Sequence, residues 1–147
     1  MALNARRNRQ LLETAAPLLI EGEQVELTTL AAVGSVSVRK QALTAAVVGV
    51  LSAGTVVATV RPRPMYIVVT DQRLLFFDGA GGGKPGRLQM NLPRPYVSAA
   101  EPKKGFLGLT MVTHLTVAGQ EKGLKVTFPV QTRGDGRRFT SALPVTR

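Results

Sequence analysis

Two apolar runs on either side of a short polar stretch constrain the fold of this chain more than any other feature. Residues 66–69 read YIVV and residues 74–77 read LLFF, with TDQR between them. Runs of β-branched and aromatic residues of this length, interrupted by Asp and Gln, are typical of two antiparallel strands joined by a tight turn. The segment therefore predicts a β-hairpin, in which Asp71 and Arg73 shape the turn rather than form a site.

Size and composition restrict the chain to one domain and exclude several kinds of site. With 147 residues, the chain is long enough for one domain with a substantial core. It has no cysteine and one histidine, His114, which has no partner in a catalytic pattern. The glycine-rich residues 79–86 lack the following helix that a nucleotide-binding loop requires. We expect no enzymatic activity, no metal and no cofactor.

The chain is strongly basic, with 19 lysines and arginines against 9 acidic residues and a formal net charge of +10. Such a charge attracts phosphate groups, whether these belong to nucleic acid or to anionic lipid. Aromatic residues make up only 5% of the chain, and Phe76, Phe77 and Phe128 fall in apolar strands. Because few rings remain for base stacking, nucleic acid is the least favoured anionic partner.

The first twenty residues predict a short helix. Apolar side chains at helical spacing share one face of residues 4–20, namely Leu11, Ala15, Leu18 and Leu19. Pro17 interrupts this pattern, so we expect about three helical turns and then a bend. Glu13 and Pro17 also break the apolar run that a signal peptide needs, which predicts a cytoplasmic location.

The remaining segments predict a meander of strands and a terminal helix. Besides the hairpin, alternating and β-branched residues place strands at residues 25–33, 88–92, 96–101 and 125–128, and a strand that allows one break at residues 107–117. Residues 119–123 are predicted as a hairpin loop. Asp135 is predicted to cap a short helix whose face carries Phe139 and Leu143. Glu23, next to a glycine, is predicted to be solvated.

Residues 42–60 form a long segment without a charged residue. About twenty apolar residues can cross a bilayer, but this segment consists mostly of Ala, Val, Gly, Thr and Ser, whose insertion is marginal. A single crossing would also separate strands of the predicted sheet. Three interpretations remain open: a soluble helix packed on the domain or on a second copy, a re-entrant hairpin bent near Gly49 or Gly54, and a true span.

Several short motifs carry a resemblance to a known family. Thr70, Asp71 and Arg73 followed by LLFF, together with residues 88–93, 103–108 and 126–129, resemble the bacterial pleckstrin-homology-like and GRAM-like domains common in actinobacteria. The resemblance covers roughly residues 20–143 and implies a mainly β, α+β fold. This fold is a pleckstrin-homology-like barrel of about seven antiparallel strands with an N-terminal helix, an Ala/Gly/Val-rich insert and a short C-terminal helix. We divide the chain into an N-terminal helix, residues 1–20, and a domain, residues 21–147, with the insert at 42–60.

The resemblance also implies a non-enzymatic binding module. In pleckstrin-homology domains that bind phosphoinositides, basic residues around the connection of the first two strands hold the phosphates. In this chain that connection carries Arg39, Lys40, Arg61 and Arg63. Further candidates for lipid or phosphate binding are Lys103 and Lys104, and candidates for membrane contact or self-association are Gly49, Val50, Gly54 and Phe106.

We therefore expect a module at the inner face of the membrane, which uses the basic-flanked insert to bind anionic lipid or a protein partner. The alternative is a self-assembling structural or adaptor protein, a homo-oligomer, in which the insert is a helix–helix interface. Non-specific nucleic-acid binding is a third and weaker hypothesis.

Overall fold

A computed structural model of the chain describes residues 5–37, 62–79, 85–118, 120 and 122–144. Within these ranges the fold is mainly β, with eight antiparallel strands and a helix at each end. The helices are α1 (Ala5–Ala15) and α2 (Asp135–Ser141). The strands are β1 (Val25–Ser37), β2 (Arg63–Thr70), β3 (Arg73–Asp78), β4 (Leu88–Pro93), β5 (Val97–Ala99), β6 (Lys103–Gly105), β7 (Thr110–Val117) and β8 (Lys122–Phe128).

The strands form one sheet in the order β4-β3-β2-β1-β8-β7-β5, and β6 also pairs with β7. Among the described residues, β4 is not paired with β5 or β6, so the sheet is open. The prediction of a mainly β fold with terminal helices is confirmed, and so is the β2–β3 hairpin, in which Val69 pairs with Leu74. The strand predicted over residues 107–117, which allowed for one break, starts too early, because β7 begins only after a tight turn at residues 106–109.

Strand β1 joins the two halves of the sheet. It pairs with β2 from Val25 to Val33 and with β8 from Ala32 to Ser37. The predicted strand ended at Val33, but Gly34 and the small residues after it continue the strand. A Cβ atom at Gly34 would lie 2.9 Å from Cγ of Pro62, so a glycine is needed where the chain enters β2.

Strands β2 and β3 are covered on both faces, which explains why their sequences are continuous apolar runs. On one face, Ile67 and Phe76 belong to the main core together with Phe139 of α2. On the other face, Tyr66, Val68, Leu75 and Phe77 pack against Leu11 and Ala15 of α1. The prediction that Leu11 and Ala15 share one apolar face of the helix is therefore confirmed. Leu18 lies beyond the end of α1 and remains 41% exposed.

The turn between β2 and β3 is a polar junction that holds the segment before β1. The carboxylate of Glu23 accepts hydrogen bonds from Nε and Nη2 of Arg73, each at 3.0 Å, and another from the Thr70 hydroxyl. The backbone N–H of Gln24 donates a hydrogen bond to the carboxylate of Asp71 at 3.0 Å. The prediction that Glu23 is solvated is wrong, since its side chain is fully buried. Asp71 and Arg73 do shape the turn, as expected, and they also bind it to the chain before β1.

Hydrogen bonds from the Arg73 guanidinium lower the pKa of Glu23 from 4.5 to about 2, because they outweigh the opposing effect of burial. A carboxyl group whose pKa is lower in the folded state stabilises the fold at every pH above its unfolded pKa. That contribution is lost as the pH falls from 4.5 towards 2.

A second junction fixes the chain after α2. The guanidinium of Arg94 donates to the carbonyl of Ala142 through Nε at 3.1 Å and Nη2 at 2.8 Å. It also forms an ion pair with Glu26 at 2.7 Å. The end of α2 is thereby tied to the start of β1 and to the end of β4.

No helix in the described ranges is long and apolar enough to cross a membrane. The apolar segment 42–60, with its three open interpretations, lies outside the described residues.

We expect Glu23→Gln to lower the free energy of unfolding at pH 7 by about 3 kcal/mol, because it removes the charge that Arg73 and Thr70 bind in a buried position. The variant should also lose most of the dependence of stability on pH between 4.5 and 2. Urea unfolding at a series of pH values measures both effects. Glu26→Gln is the control, since the more exposed pair with Arg94 should contribute less than about 1 kcal/mol. An equal loss in both variants would contradict the assignment.

Candidate functional site

A cleft with basic walls lies between the turn at residues 106–109 and the segment that connects β8 to α2. It encloses about 260 Å³ and is lined by Lys104, Gly108, Met111, Arg133, Gly134 and Arg137. We call it the basic cleft. The side chains of Lys104, Arg133 and Arg137 are exposed, and no described carboxylate forms an ion pair with them. The cleft therefore presents three positive charges that the described part of the fold leaves unneutralised.

The walls of the basic cleft come from distant parts of the chain. Lys104 on β6 pairs with Met111 on β7, which places it beside the start of α2. A Cβ atom at Gly136 would lie 2.7 Å from Cγ of Met111, so α2 packs directly against β7. This close packing brings Arg137 to the same cleft as Lys104.

Asp135 anchors the segment that carries Arg133 and Arg137. Its side chain is 1% exposed and accepts a hydrogen bond from the Thr29 hydroxyl at 2.8 Å. The prediction that Asp135 caps α2 is wrong: Gly134 is the N-cap residue, and no side chain caps the helix. The carboxylate turns into the domain instead, because Thr29 of β1 supplies a buried donor.

The turn at residues 106–109 has an unusual backbone. Leu107 lies in the left-handed region with φ 58° and ψ 26°, and Gly108 has φ 79°. A left-handed conformation costs a leucine about 1 kcal/mol or more, whereas glycine and asparagine adopt it readily. Nη1 of Arg133 donates to the Gly108 carbonyl at 2.8 Å, which fixes the turn against the cleft.

The turn also exposes apolar side chains next to the cleft. Leu107 is 91% exposed, the largest value among the exposed large hydrophobic residues described. Leu109 and Val130 are 44% and 57% exposed. Leu109 comes shortly before Met111 and Val130 shortly after Phe128, and Met111 and Phe128 pair with each other where β7 begins and β8 ends. The site therefore combines a basic cleft with an apolar rim at one end of the sheet.

Among the described residues predicted for lipid or phosphate binding, Arg63 lies apart from Lys103 and Lys104. Lys103 and Lys104 are exposed on β6. Arg63 lies on β2, separated from β6 by β1, β8 and β7, which is about 19 Å along the sheet. It also forms an ion pair with Asp78 at 2.7 Å. Of the other predicted residues, Arg39, Lys40, Arg61, Gly49, Val50 and Gly54 lie outside the described part of the chain, and for Phe106 only the backbone is described.

Sequence reasoning missed Arg133, Arg137 and Leu107. The spacing of the two arginines, i and i+4, was the one available signal that they share a side of the chain. Their proximity to Lys104 depends on the pairing of β6 with β7. The exposure of Leu107 has no signal in composition or periodicity.

The lysine and arginine side chains of the basic cleft can bind an anion. Among the described residues that line the cleft, none carries a carboxylate, hydroxyl or imidazole that could act as a general base. His114 is exposed on β7 and pairs with Lys125 on β8. In the described ranges, no group of three acidic, histidine or cysteine side chains could hold a metal ion.

We expect Thr29→Val to destabilise the protein by about 1–3 kcal/mol, because it removes the hydroxyl that donates to the buried carboxylate of Asp135 and leaves, among the described residues, only the Arg138 guanidinium, 4.0 Å away, near it. Chemical denaturation at pH 7 measures the loss. The control is Thr127→Val on β8, which removes a half-buried hydroxyl for which no hydrogen bond is described and should change stability little. A neutral Thr29→Val variant would show that Asp135 is not held by this bond.

In comparisons with known proteins, no family model matches the chain and no curated protein matches it.

Proposed function

We propose that this chain is a non-enzymatic binding module that docks on an anionic lipid surface at the cytoplasmic face of a membrane. The observation that carries the proposal is the basic cleft, in which Lys104, Arg133 and Arg137 are exposed and have no described ion-pair partner. Phosphate groups of lipid head groups are the chemistry that such a cleft binds, since arginine and lysine both donate charged hydrogen bonds to phosphate.

The magnitude of the electrostatic attraction explains why charge alone gives weak docking. Each lysine or arginine near an anionic leaflet contributes about 1 kcal/mol. Three such residues therefore contribute about 3 kcal/mol, which is marginal for stable attachment. A second, apolar contribution is needed, as for other peripheral membrane proteins.

A pleckstrin-homology-like barrel of the bacterial, GRAM-like kind is part of the proposal. Two features support it: β1 pairs with both β2 and the last strand β8, and α2 follows β8 and packs Phe139 into the core. Such folds serve as binding scaffolds on which sites vary, so this likeness raises the expectation of a binding role without naming a ligand.

The basic cleft and the point where the chain leaves β1 towards the apolar insert lie at different ends of the sheet. The chain leaves β1 at Ser37, which pairs with Lys122 at the start of β8, whereas the cleft lies beyond Phe128 at the end of β8. These two ends of β8 are about 20 Å apart. If the cleft faces a flat bilayer, the insert is available for the alternative role, contact with a second copy or a protein partner.

We expect Lys104→Glu combined with Arg137→Glu to weaken binding to vesicles that contain anionic lipid by at least about tenfold, because attraction is replaced by repulsion. Sedimentation of vesicles at a series of salt concentrations measures the effect, and wild-type binding should fall as salt rises. Arg87→Glu combined with Lys125→Glu makes the same change in net charge at exposed positions outside the cleft. Equal losses in the two double variants would refute the cleft as the docking site.

The variant Val50→Arg tests whether the insert contacts the membrane or a second copy of the chain. If the insert touches the membrane, this variant should lose vesicle binding, and the cleft variants should not. If the insert joins two copies, the mass of the protein in solution without detergent should fall to that of a monomer. Unchanged vesicle binding and unchanged mass would remove the insert from both roles.

A further inference from the structure

We propose that the turn at residues 106–109 is a membrane-inserting tip. Leu107 enters the boundary between head groups and acyl chains of an anionic bilayer, while Lys104, Arg133 and Arg137 contact the phosphates around it. This inference rests on the proposed function. It adds the element that enters the membrane, the source of the apolar contribution and the orientation of the domain.

The backbone of Leu107 is the first observation behind this inference. Among the described residues it is the only one other than glycine with a positive φ. A left-handed residue persists where the surrounding structure or a function maintains it, and such residues cluster at binding sites. Because Leu107 is 91% exposed, its side chain gains little packing in water that could offset its conformation. Contact with the acyl chains of a bilayer would supply the stabilisation that the Leu107 side chain lacks in water.

The neighbouring apolar side chains are the second observation. Single exposed hydrophobic residues are normal on protein surfaces. Here Leu107, Leu109 and Val130 are all exposed at the same end of the β7–β8 pair, immediately beyond Met111 and Phe128. Together they form an apolar end of the domain rather than scattered positions.

The charges around the tip identify a bilayer as its partner. Lys104 and Arg137 line the cleft beside the turn, and Arg133 contacts the turn through the Gly108 carbonyl at 2.8 Å. An apolar tip with three cations beside it matches a layer of phosphates above acyl chains. A second copy docked through the same surface would bring these cations together. Glu101 is the carboxylate nearest in sequence to Lys104, but it lines a different cavity and so would not offset this repulsion.

The bond from Arg133 has a further consequence for insertion. A backbone carbonyl that leaves water must keep a hydrogen-bond donor, since an unsatisfied polar group in a membrane is costly. Arg133 supplies that donor to Gly108 at the base of the tip. Only the turn has to enter the interface, by about 5–10 Å, and the sheet remains outside the bilayer.

Two substitutions at one position test the inference. Leu107→Asn keeps a residue that tolerates the left-handed region, so its melting temperature should be equal to or higher than that of the wild type. Its partitioning into anionic vesicles should fall about tenfold, because the apolar contribution is lost. Ile20→Asn is the control at a residue that is 57% exposed and lies before β1, and its binding should be that of the wild type.

Leu107→Trp measures depth directly, because the chain has no tryptophan. On anionic vesicles its emission should shift to the blue and be quenched by lipids brominated along the acyl chain. Ile20→Trp should show neither change.

The outcomes separate this inference from the proposed function. Wild-type binding by Leu107→Asn would overturn the inserting tip and leave the basic cleft as the docking site. Reduced binding without quenching of Leu107→Trp would also overturn insertion. A dimer in solution that Leu107→Asn dissociates would assign the tip to a second copy and overturn it. Failure of the wild-type protein to bind anionic vesicles would overturn both proposals.

Discussion

The pairing of β1 on both sides is the constraint on which the rest of the fold depends. Its first half forms hydrogen bonds with β2 and its second half with β8, so one strand joins the hairpin half of the sheet to the half that carries the basic cleft. This arrangement places the start of β8 near the exit towards the insert and the end of β8 near the cleft. The separation of about 20 Å between the exit of β1 and the cleft follows from the length of β8.

Partners distinguish the cations that maintain the fold from those that are available to a ligand. Arg73 is bound to a buried carboxylate, and Arg94 holds a backbone carbonyl and a glutamate. Arg63 forms an ion pair on β2. The three cations of the basic cleft have no such acidic partner among the described residues. Exposed cations elsewhere, such as Arg87 and Lys125, also have no described ion pair. What distinguishes Lys104, Arg133 and Arg137 is that they line one cleft, and this grouping is a better guide to function than the net charge of +10.

Local pattern was sufficient to predict several elements of the fold. The β2–β3 hairpin follows from two β-branched and aromatic runs around a polar turn, and the end of α1 at Ala15 follows from Pro17 in the short 3-10 helix after it. Predictions failed where a distant partner decides the outcome. Glu23 is adjacent to a glycine and looks solvated in sequence, but the guanidinium of Arg73 draws it into the domain. Asp135 looks like a helix cap, but it bonds to Thr29 of β1 instead.

The sequence by itself determined the class of the fold, the hairpin, the terminal helices and the basic character of the protein, because these depend on periodicity, turn chemistry and composition. Only the tertiary structure decided which basic residues share a surface. Lys104 meets Arg133 and Arg137 because β6 pairs with β7 and because α2 packs closely on Met111. It also decided that Leu107 stands exposed in a left-handed turn. Such properties arise from contacts between residues distant in the chain, and no local pattern encodes them.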